Sequence, residues 1–170
     1  MHTRRFGLLI MALVAAVLLQ STFGRNITIF TARPDPVLLL VVTFSVVRGM
    51  QEGVIAGIIG GMLLDTLSAI PFGVGTITMG IIGFTTGLGE ANMYRTNFII
   101  SLVAIFLATV FYHSVVMLSL QAVGWNVEWI STLALQTIPG AVFNAALAPL
   151  VFPFVRRLGA AGGEEEQMRW

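Results

Sequence analysis

Long apolar stretches follow one another along almost the whole of this sequence, with only short breaks that contain polar residues, glycine or proline. Of the 170 residues, 56% are hydrophobic and 10% are charged, whereas a soluble domain carries about a quarter charged residues. The mean hydropathy is +0.91. This pattern points to a protein that folds in a lipid bilayer rather than in water.

Six apolar segments predict six membrane-spanning helices. They lie near residues 6–23, 36–47, 53–67, 72–88, 98–123 and 130–154. A perpendicular span needs about 20 residues, so the second segment is short and the third and fourth are marginal. A re-entrant pair made by residues 36–47 and 53–67 is the alternative. We favour six spans, because short helices can cross a bilayer when they pack against others.

The expected fold class is therefore an all-α membrane protein, a six-transmembrane-helix bundle. Residues 1–158 are predicted to form a single helical domain, and the polar tail, residues 159–170, is predicted to be a disordered cytoplasmic segment.

The arginines indicate how this bundle is oriented. With the N-terminus inside and six spans, seven arginines fall on the cytoplasmic side: Arg4, Arg5, Arg48, Arg95, Arg156, Arg157 and Arg169. Two, Arg25 and Arg33, fall outside. This distribution follows the positive-inside rule. Both termini of the multi-pass chain are therefore predicted to be cytoplasmic.

Glycines recur at every fourth position around the third segment, at Gly49, Gly53, Gly57 and Gly61. Residues four apart share one helix face. A face without side chains lets another backbone approach closely, which is how many helices associate in lipid. Packing within the bundle is the first interpretation of this face, and a groove for the membrane helix of a partner protein is the second.

A few polar residues fall within or beside the apolar segments. The Asp65 carboxylate is expected to cap the turn that follows it or the N-terminus of the fourth helix, with contact to a partner or ligand as the alternative. His113 and Asn144 lie inside predicted spans, where interhelical hydrogen bonding is the expected role. A proton relay between His113 and Asp65 is the sharper alternative.

Enzymatic chemistry has little support in these residues. The chain has no cysteine, and Asp35 and Asp65 are its two aspartates. No HExxH or GxSxG motif is present. We therefore expect no catalytic residue, no metal site and no cofactor. The sequence also has no basic stripe of the kind that binds nucleic acid.

The second and third segments carry a recognisable pattern. It consists of Arg33-Pro34-Asp35-Pro36, an apolar run over 37–42, Arg48-Gly49, Glu52-Gly53, Leu63-Leu64-Asp65, Ser68 and Pro71-Phe72-Gly73. In these features the chain resembles MreD, the rod-shape-determining membrane protein family of the bacterial cell-wall elongation machinery. The resemblance assigns Pro34, Asp35, Asp65, Ser68 and Gly73 to a structural turn or to partner contact. Pro36 departs from the family pattern, which more often has an aliphatic residue there, and is predicted to kink the entry to the second span.

The resemblance implies a non-enzymatic scaffold in the bacterial inner membrane that binds MreC and helps to maintain rod shape. In this hypothesis the single membrane helix of MreC lies along the glycine face. Further implied partners are RodA, its transpeptidase partner and MreB. Membrane lipid and a second copy of the chain are also expected as partners.

The family is also similar in fold to the six-helix substrate-binding subunits of energy-coupling-factor vitamin transporters. A solute-binding membrane subunit, with a pocket lined by Asp65, His113, Trp125 and Asn126, is therefore the alternative function. Handling of an isoprenoid lipid carrier is a third and weaker hypothesis.

Overall fold

The chain is described by a computed structural model over residues 2–23, 34–68, 70–89 and 98–160. Within these residues it forms six helices and no strand, so the all-α expectation is confirmed. They are α1 (His2–Phe23), α2 (Pro36–Arg48), α3 (Met50–Leu67), α4 (Val74–Leu88), α5 (Phe98–Ala122) and α6, which runs without a break through Trp129–Thr132, Leu133–Thr137 and Ile138–Ala160. The α6 backbone thus enters the predicted tail, whose residues 161–170 lie outside the described part.

Three of the helices are long and apolar enough to cross a membrane: Met50–Leu67, Ile99–Ala122 and Trp129–Arg157. Gly7–Thr22, Pro36–Arg48 and Val74–Leu88 are shorter apolar helices. These lengths and compositions agree with a bundle that is embedded in a membrane.

Helix α2 lies at the centre of the bundle. It packs against each of the other five helices, which contact one another in the order α1, α3, α4, α5, α6 and back to α1. The alternating chain direction gives the bundle two ends. At the Asp65 end, α1, α3 and α5 finish and α2, α4 and α6 begin. At the opposite end, the Arg48 end, α2 passes into α3.

The central position of α2 explains how so short a helix fits in the bundle. Its 13 residues extend about 20 Å, less than the roughly 30 Å of a bilayer core. Most of its side chains are buried, and none of its large apolar residues is exposed. Because protein surrounds α2 on all sides, its ends need not reach the lipid interfaces.

The start of α2 is set by two adjacent residues. Asp35 is the N-cap, and its side chain accepts a hydrogen bond from the Leu38 N–H at 3.3 Å. Pro36 follows at the first helical position. The N–H of a residue at this position makes no hydrogen bond within the helix, so proline removes none, and the fixed φ of proline suits a helix. The predicted kink at Pro36 is therefore wrong: this proline begins the helix.

Helix α6 contains a wider turn near its start. Leu133–Thr137 is π-helical and ends two residues before Pro139. In an unbroken α-helix, the ring of Pro139 would collide with the carbonyl group of Leu135. A π-helical turn at this point gives the ring space, so α6 continues instead of ending.

Candidate functional site

The predicted glycine face of α3 packs against the backbone of α4. A Cβ atom added to Gly57 would lie 2.7 Å from the carbonyl carbon of Met79, and one added to Gly61 would lie 2.5 Å from the Cα of Thr76. Real Cβ atoms do not approach other atoms so closely. Glycine is therefore required at these positions for the two helices to lie at this separation.

The glycines of α4 face α3 in the same way. A Cβ on Gly83 would lie 2.6 Å from the carbonyl carbon of Gly53, and one on Gly87 would lie 2.5 Å from the Cα of Met50. The Ser45 hydroxyl of α2 donates a hydrogen bond to the Gly83 carbonyl oxygen at this contact. The backbones of α3 and α4 therefore meet along nearly their whole length, and α2 is joined to them.

This packing corrects the prediction of a groove for a partner helix. The space along Gly53, Gly57 and Gly61 is filled by α4 of the same chain, so the face is not open to another protein. Gly49, the first glycine of the predicted row, has a different structural role from the other three. It has a φ of +89° and links α2 to α3, a conformation that glycine adopts most readily.

Asp65 joins α3 to α4 at the end of this helix pair that lies opposite Gly49. Its carboxylate oxygens accept hydrogen bonds from the backbone N–H groups of Gly73 at 3.0 Å, Gly75 at 2.8 Å and Thr76 at 2.9 Å. The Thr76 hydroxyl adds a fourth at 2.7 Å. The side chain is buried, so its charge is taken from solvent and compensated by donors at the start of α4.

The expected capping role of Asp65 is thus confirmed. The first N–H groups of a helix lack partners within it, and a carboxylate there also interacts favourably with the helix dipole. Ser68 ends α3 through a backbone hydrogen bond to Leu64, at 2.9 Å, and Gly73 begins the next helix with a φ of +101°. The connection from α3 to α4, described at residues 66–68 and 70–72, is therefore held at both of its ends; we call it the Asp65 turn.

A second polar arrangement joins α2 to α5 and α6. The Asp35 backbone N–H donates to the Asn144 side-chain oxygen at 2.9 Å, and the Asn144 amide donates to the Thr109 hydroxyl at 3.2 Å. Thr109 in turn donates to the Ile105 carbonyl oxygen at 2.8 Å. Asp35, Thr109 and Asn144 are all buried. Asn144 thus makes the interhelical hydrogen bonds expected of it.

His113 belongs to the same polar region. It lies close enough to the Asp35 carboxyl for an electrostatic interaction, and its ring centroid is 5.8 Å from that of Tyr112. The Gln20 side chain of α1 lies near the Asp35 carboxyl. His113 therefore interacts with Asp35, whereas the Asp65 carboxylate is hydrogen bonded to the start of α4. This arrangement gives no support to a proton relay between His113 and Asp65.

The structure does not assemble the pocket expected of a solute-binding subunit. Asp65 is engaged by its own chain, and Trp125 and Asn126 are exposed on the α5–α6 connection. Nor does any group of three or more His, Cys, Asp or Glu residues in the described part of the chain have an arrangement that could hold a metal ion.

Some contributing residues were not predicted from the sequence. Ser45, Thr76 and Thr109 each complete one of the polar contacts. Thr109 precedes His113 by one helical turn, which was a usable signal, because residues four apart share a face. Hydroxyl residues are common in membrane helices, however, and often bond to their own backbone, so their presence alone predicts little.

These features define a class of protein: an all-α membrane bundle that packs through glycine contacts and uses its buried polar groups to join its own helices. Over residues 2–158 the chain matches the family described as rod shape-determining protein MreD. The chain belongs to the MreD family and is a rod shape-determining membrane protein. No curated protein matches it, and no solved structure does.

The contact between α3 and α4 predicts opposite effects for two alanine substitutions. Gly57→Ala is expected to lower the free energy of unfolding by about 1–3 kcal/mol, because the new methyl group meets the α4 backbone. Gly80→Ala should be neutral or stabilising, since its Cβ would meet only Ile58, at 3.5 Å, and alanine favours helices. Thermal unfolding in detergent compares the two, and equal midpoints would refute the packing argument.

The cap at Asp65 predicts a loss of stability when the carboxylate is removed. Asp65→Ala leaves the donors of Gly73, Gly75 and Thr76 without their acceptor, so unfolding should become easier by about 2 kcal/mol or more. Asp65→Asn, which keeps one oxygen, should lose less. Thr66→Val is the control, because Thr66 is exposed and bonds to its own helix. A midpoint for Asp65→Ala as high as that of the control would contradict the capping role.

Proposed function

We propose that this protein is a non-enzymatic scaffold of the bacterial cell-wall elongation complex and that it binds MreC. The observation that carries the proposal is the match to the rod shape-determining family over residues 2–158. A scaffold needs a stable shape and an exposed surface for its partner.

The buried polar groups support a structural role. Asp65 is satisfied by the first turn of α4, and Asn144 by α2 and α5. Catalytic groups usually retain capacity to bind or to exchange protons with a substrate. In this bundle, the same kinds of side chain hold helices together, which is what a protein that positions others requires.

The exposed residues around the Asp65 turn offer a surface for a partner. Leu67 and Phe72 belong to this turn, and both are exposed, Phe72 to 69%. Because Asp65 holds the turn at the start of α4, the Phe72 ring is presented from a defined backbone. We infer that MreC contacts this surface where its chain leaves the membrane, since the glycine face is occupied.

The remaining assignments belong to the same proposal. RodA, its transpeptidase partner and MreB are proposed as members of the assembly reached through MreC, and a second copy of the chain is a further proposed partner. The protein is placed in the inner membrane with both termini in the cytoplasm, because this orientation puts most of the arginines inside.

The orientation predicts how single cysteines will react. The chain has no native cysteine, so Asn126→Cys and Met168→Cys each introduce a unique thiol. In spheroplasts, a membrane-impermeant maleimide should label the Asn126→Cys variant, and it should label the Met168→Cys variant only after lysis. Labelling in the reverse order would show the opposite orientation.

Partner binding predicts a loss of MreC when the Asp65-turn surface is changed. Phe72→Ser should reduce recovery of MreC with the tagged protein at least severalfold, because an apolar anchor at a contact centre is lost, while the thermal midpoint stays unchanged. Ile130→Ser is the matched control, since Ile130 is also exposed, to 86%, at the start of α6. Proteins are identified by mass spectrometry after purification in mild detergent.

Two results would contradict this assignment. If the unaltered protein recovers no MreC, the scaffold hypothesis fails, and recovery of ATP-binding-cassette subunits instead would favour the transporter alternative. If MreC is recovered equally with Phe72→Ser and with the control, MreC binds to another surface.

A further inference from the structure

Helix α6 contains two prolines in its second half, and both are on its outer surface. Pro149 and Pro153 lie inside the α-helical stretch Ile138–Ala160 and are exposed. Proline has no N–H, so the carbonyl groups four residues earlier, those of Ala145 and Pro149, lose the donor that an α-helix normally provides. Each carbonyl group lies beside the ring of the proline that follows it, on the exposed side of the helix.

The helix does not replace these donors as it does near its start. The π-helical turn Leu133–Thr137 precedes Pro139, and such a turn pairs carbonyl groups with N–H groups five residues further on. No π-helical turn accompanies the two later prolines, because Ile138–Ala160 is α-helical throughout. Asn144, the nearest polar side chain of α6, donates to Thr109 instead.

Both carbonyl groups lie at the depth of the hydrocarbon core. Arg157 is in the last turn of α6 and is exposed, which places it at the membrane surface. The carbonyl groups of Ala145 and Pro149 lie about 18 Å and about 12 Å from it along the helix, and the core is about 30 Å thick. Acyl chains have no hydrogen-bond donor, so an acceptor at this depth is costly unless another molecule supplies one.

The outer surface of the bundle has no matching donor to offer to a second copy. In the described part of the chain, the side chains exposed near this depth on the other ring helices are apolar, for example Val14 of α1, Ile58 of α3 and Leu107 of α5. The Thr85 hydroxyl of α4 is exposed but already donates to the Ile81 carbonyl oxygen. The donor must therefore come from a different molecule.

We propose that the outer face of α6 around Pro149 docks a membrane-spanning helix of another protein, one that carries serine, threonine, asparagine or glutamine at mid-membrane depth. The electrostatic complement of two carbonyl oxygens is a pair of hydrogen-bond donors, and side chains of these types supply donors between membrane helices. Ala146 is exposed three residues before Pro149, and its small side chain lets a partner backbone approach closely.

This contact is separate from the proposed contact with MreC. In the ring around α2, α6 has α5 and α1 as its neighbours, so it lies across from α3 and α4, which carry the Asp65 turn. The contact between α1 and α6 is the least extensive of those between neighbouring ring helices. Space is therefore available beside α6 for an additional helix.

Binding of synthetic membrane-spanning peptides to the purified full chain tests the proposal. One leucine–alanine peptide carries two serines four residues apart at its centre, and the other carries alanine at both positions. In phosphatidylcholine vesicles, fluorescence energy transfer should show that the serine peptide binds about five times more tightly, given the strength of hydrogen bonds between membrane helices. The assay contains no MreC, so its failure would leave the proposed function unaffected.

A double substitution restores the missing donors. In Pro149→Ala/Pro153→Ala, each carbonyl group regains its N–H partner within α6, so this variant should bind the two peptides equally. It should also unfold at a midpoint at least as high as that of the unaltered chain, since alanine favours helices. Leu150→Ala is the matched control, because Leu150 is exposed to 72% beside Pro149 and its replacement adds no N–H. The control should keep the preference for the serine peptide.

Three results would overturn the proposal. Equal binding of the two peptides by the unaltered chain would show that the carbonyl groups do not attract a donor. A preference for the serine peptide that persists in Pro149→Ala/Pro153→Ala would place the bound peptide elsewhere. Energy transfer between two labelled copies of the chain that disappears in this variant would make a second copy the occupant of the face.

Discussion

The close approach of the α3 and α4 backbones is the contact on which the rest of this bundle depends. Lipid is as apolar as a leucine side chain, so helices in a membrane gain little from burying apolar surface and associate through close packing instead. Glycines such as Gly57 and Gly83 remove the side chains that would separate the two helices. Asp65 fixes their relative position by binding the first turn of α4. Helix α2 packs against both members of the resulting α3–α4 pair.

Helix α2 is positioned by polar contacts near both of its ends. At its start, the Asp35 N–H bonds to Asn144, and towards its end, the Ser45 hydroxyl bonds to Gly83. Each contact satisfies a group that would otherwise be costly in an apolar interior. Because these bonds have defined directions, they fix the rotation and depth of a helix whose aliphatic side chains would fit several positions almost equally well.

The occupied glycine face changes where a partner is to be sought. A row of glycines has the same appearance in sequence whether it meets a helix of its own chain or of another protein. The structure gives this face to α4 and leaves the outer surfaces of the ring helices, with the turns at the Asp65 end, for other molecules. Two such surfaces have different chemistry: the exposed Phe72 at the Asp65 turn and the exposed prolines in the second half of α6.

By itself, the sequence determined the six helical segments, the need for close packing along the glycines and the cap at Asp65, which bonds to residues only eight to eleven positions away. Such features are local, so residue spacing reveals them. Only the tertiary structure decided that α2 is central, that α4 fills the glycine face, and that Asn144 meets Asp35, 109 residues distant. The physical reason is visible in α5, where Val103 and Leu107 are exposed while the equally apolar Ile105 is buried. In lipid, both the inside and the outside of a bundle are apolar, so hydrophobicity cannot show which face of a helix will be buried.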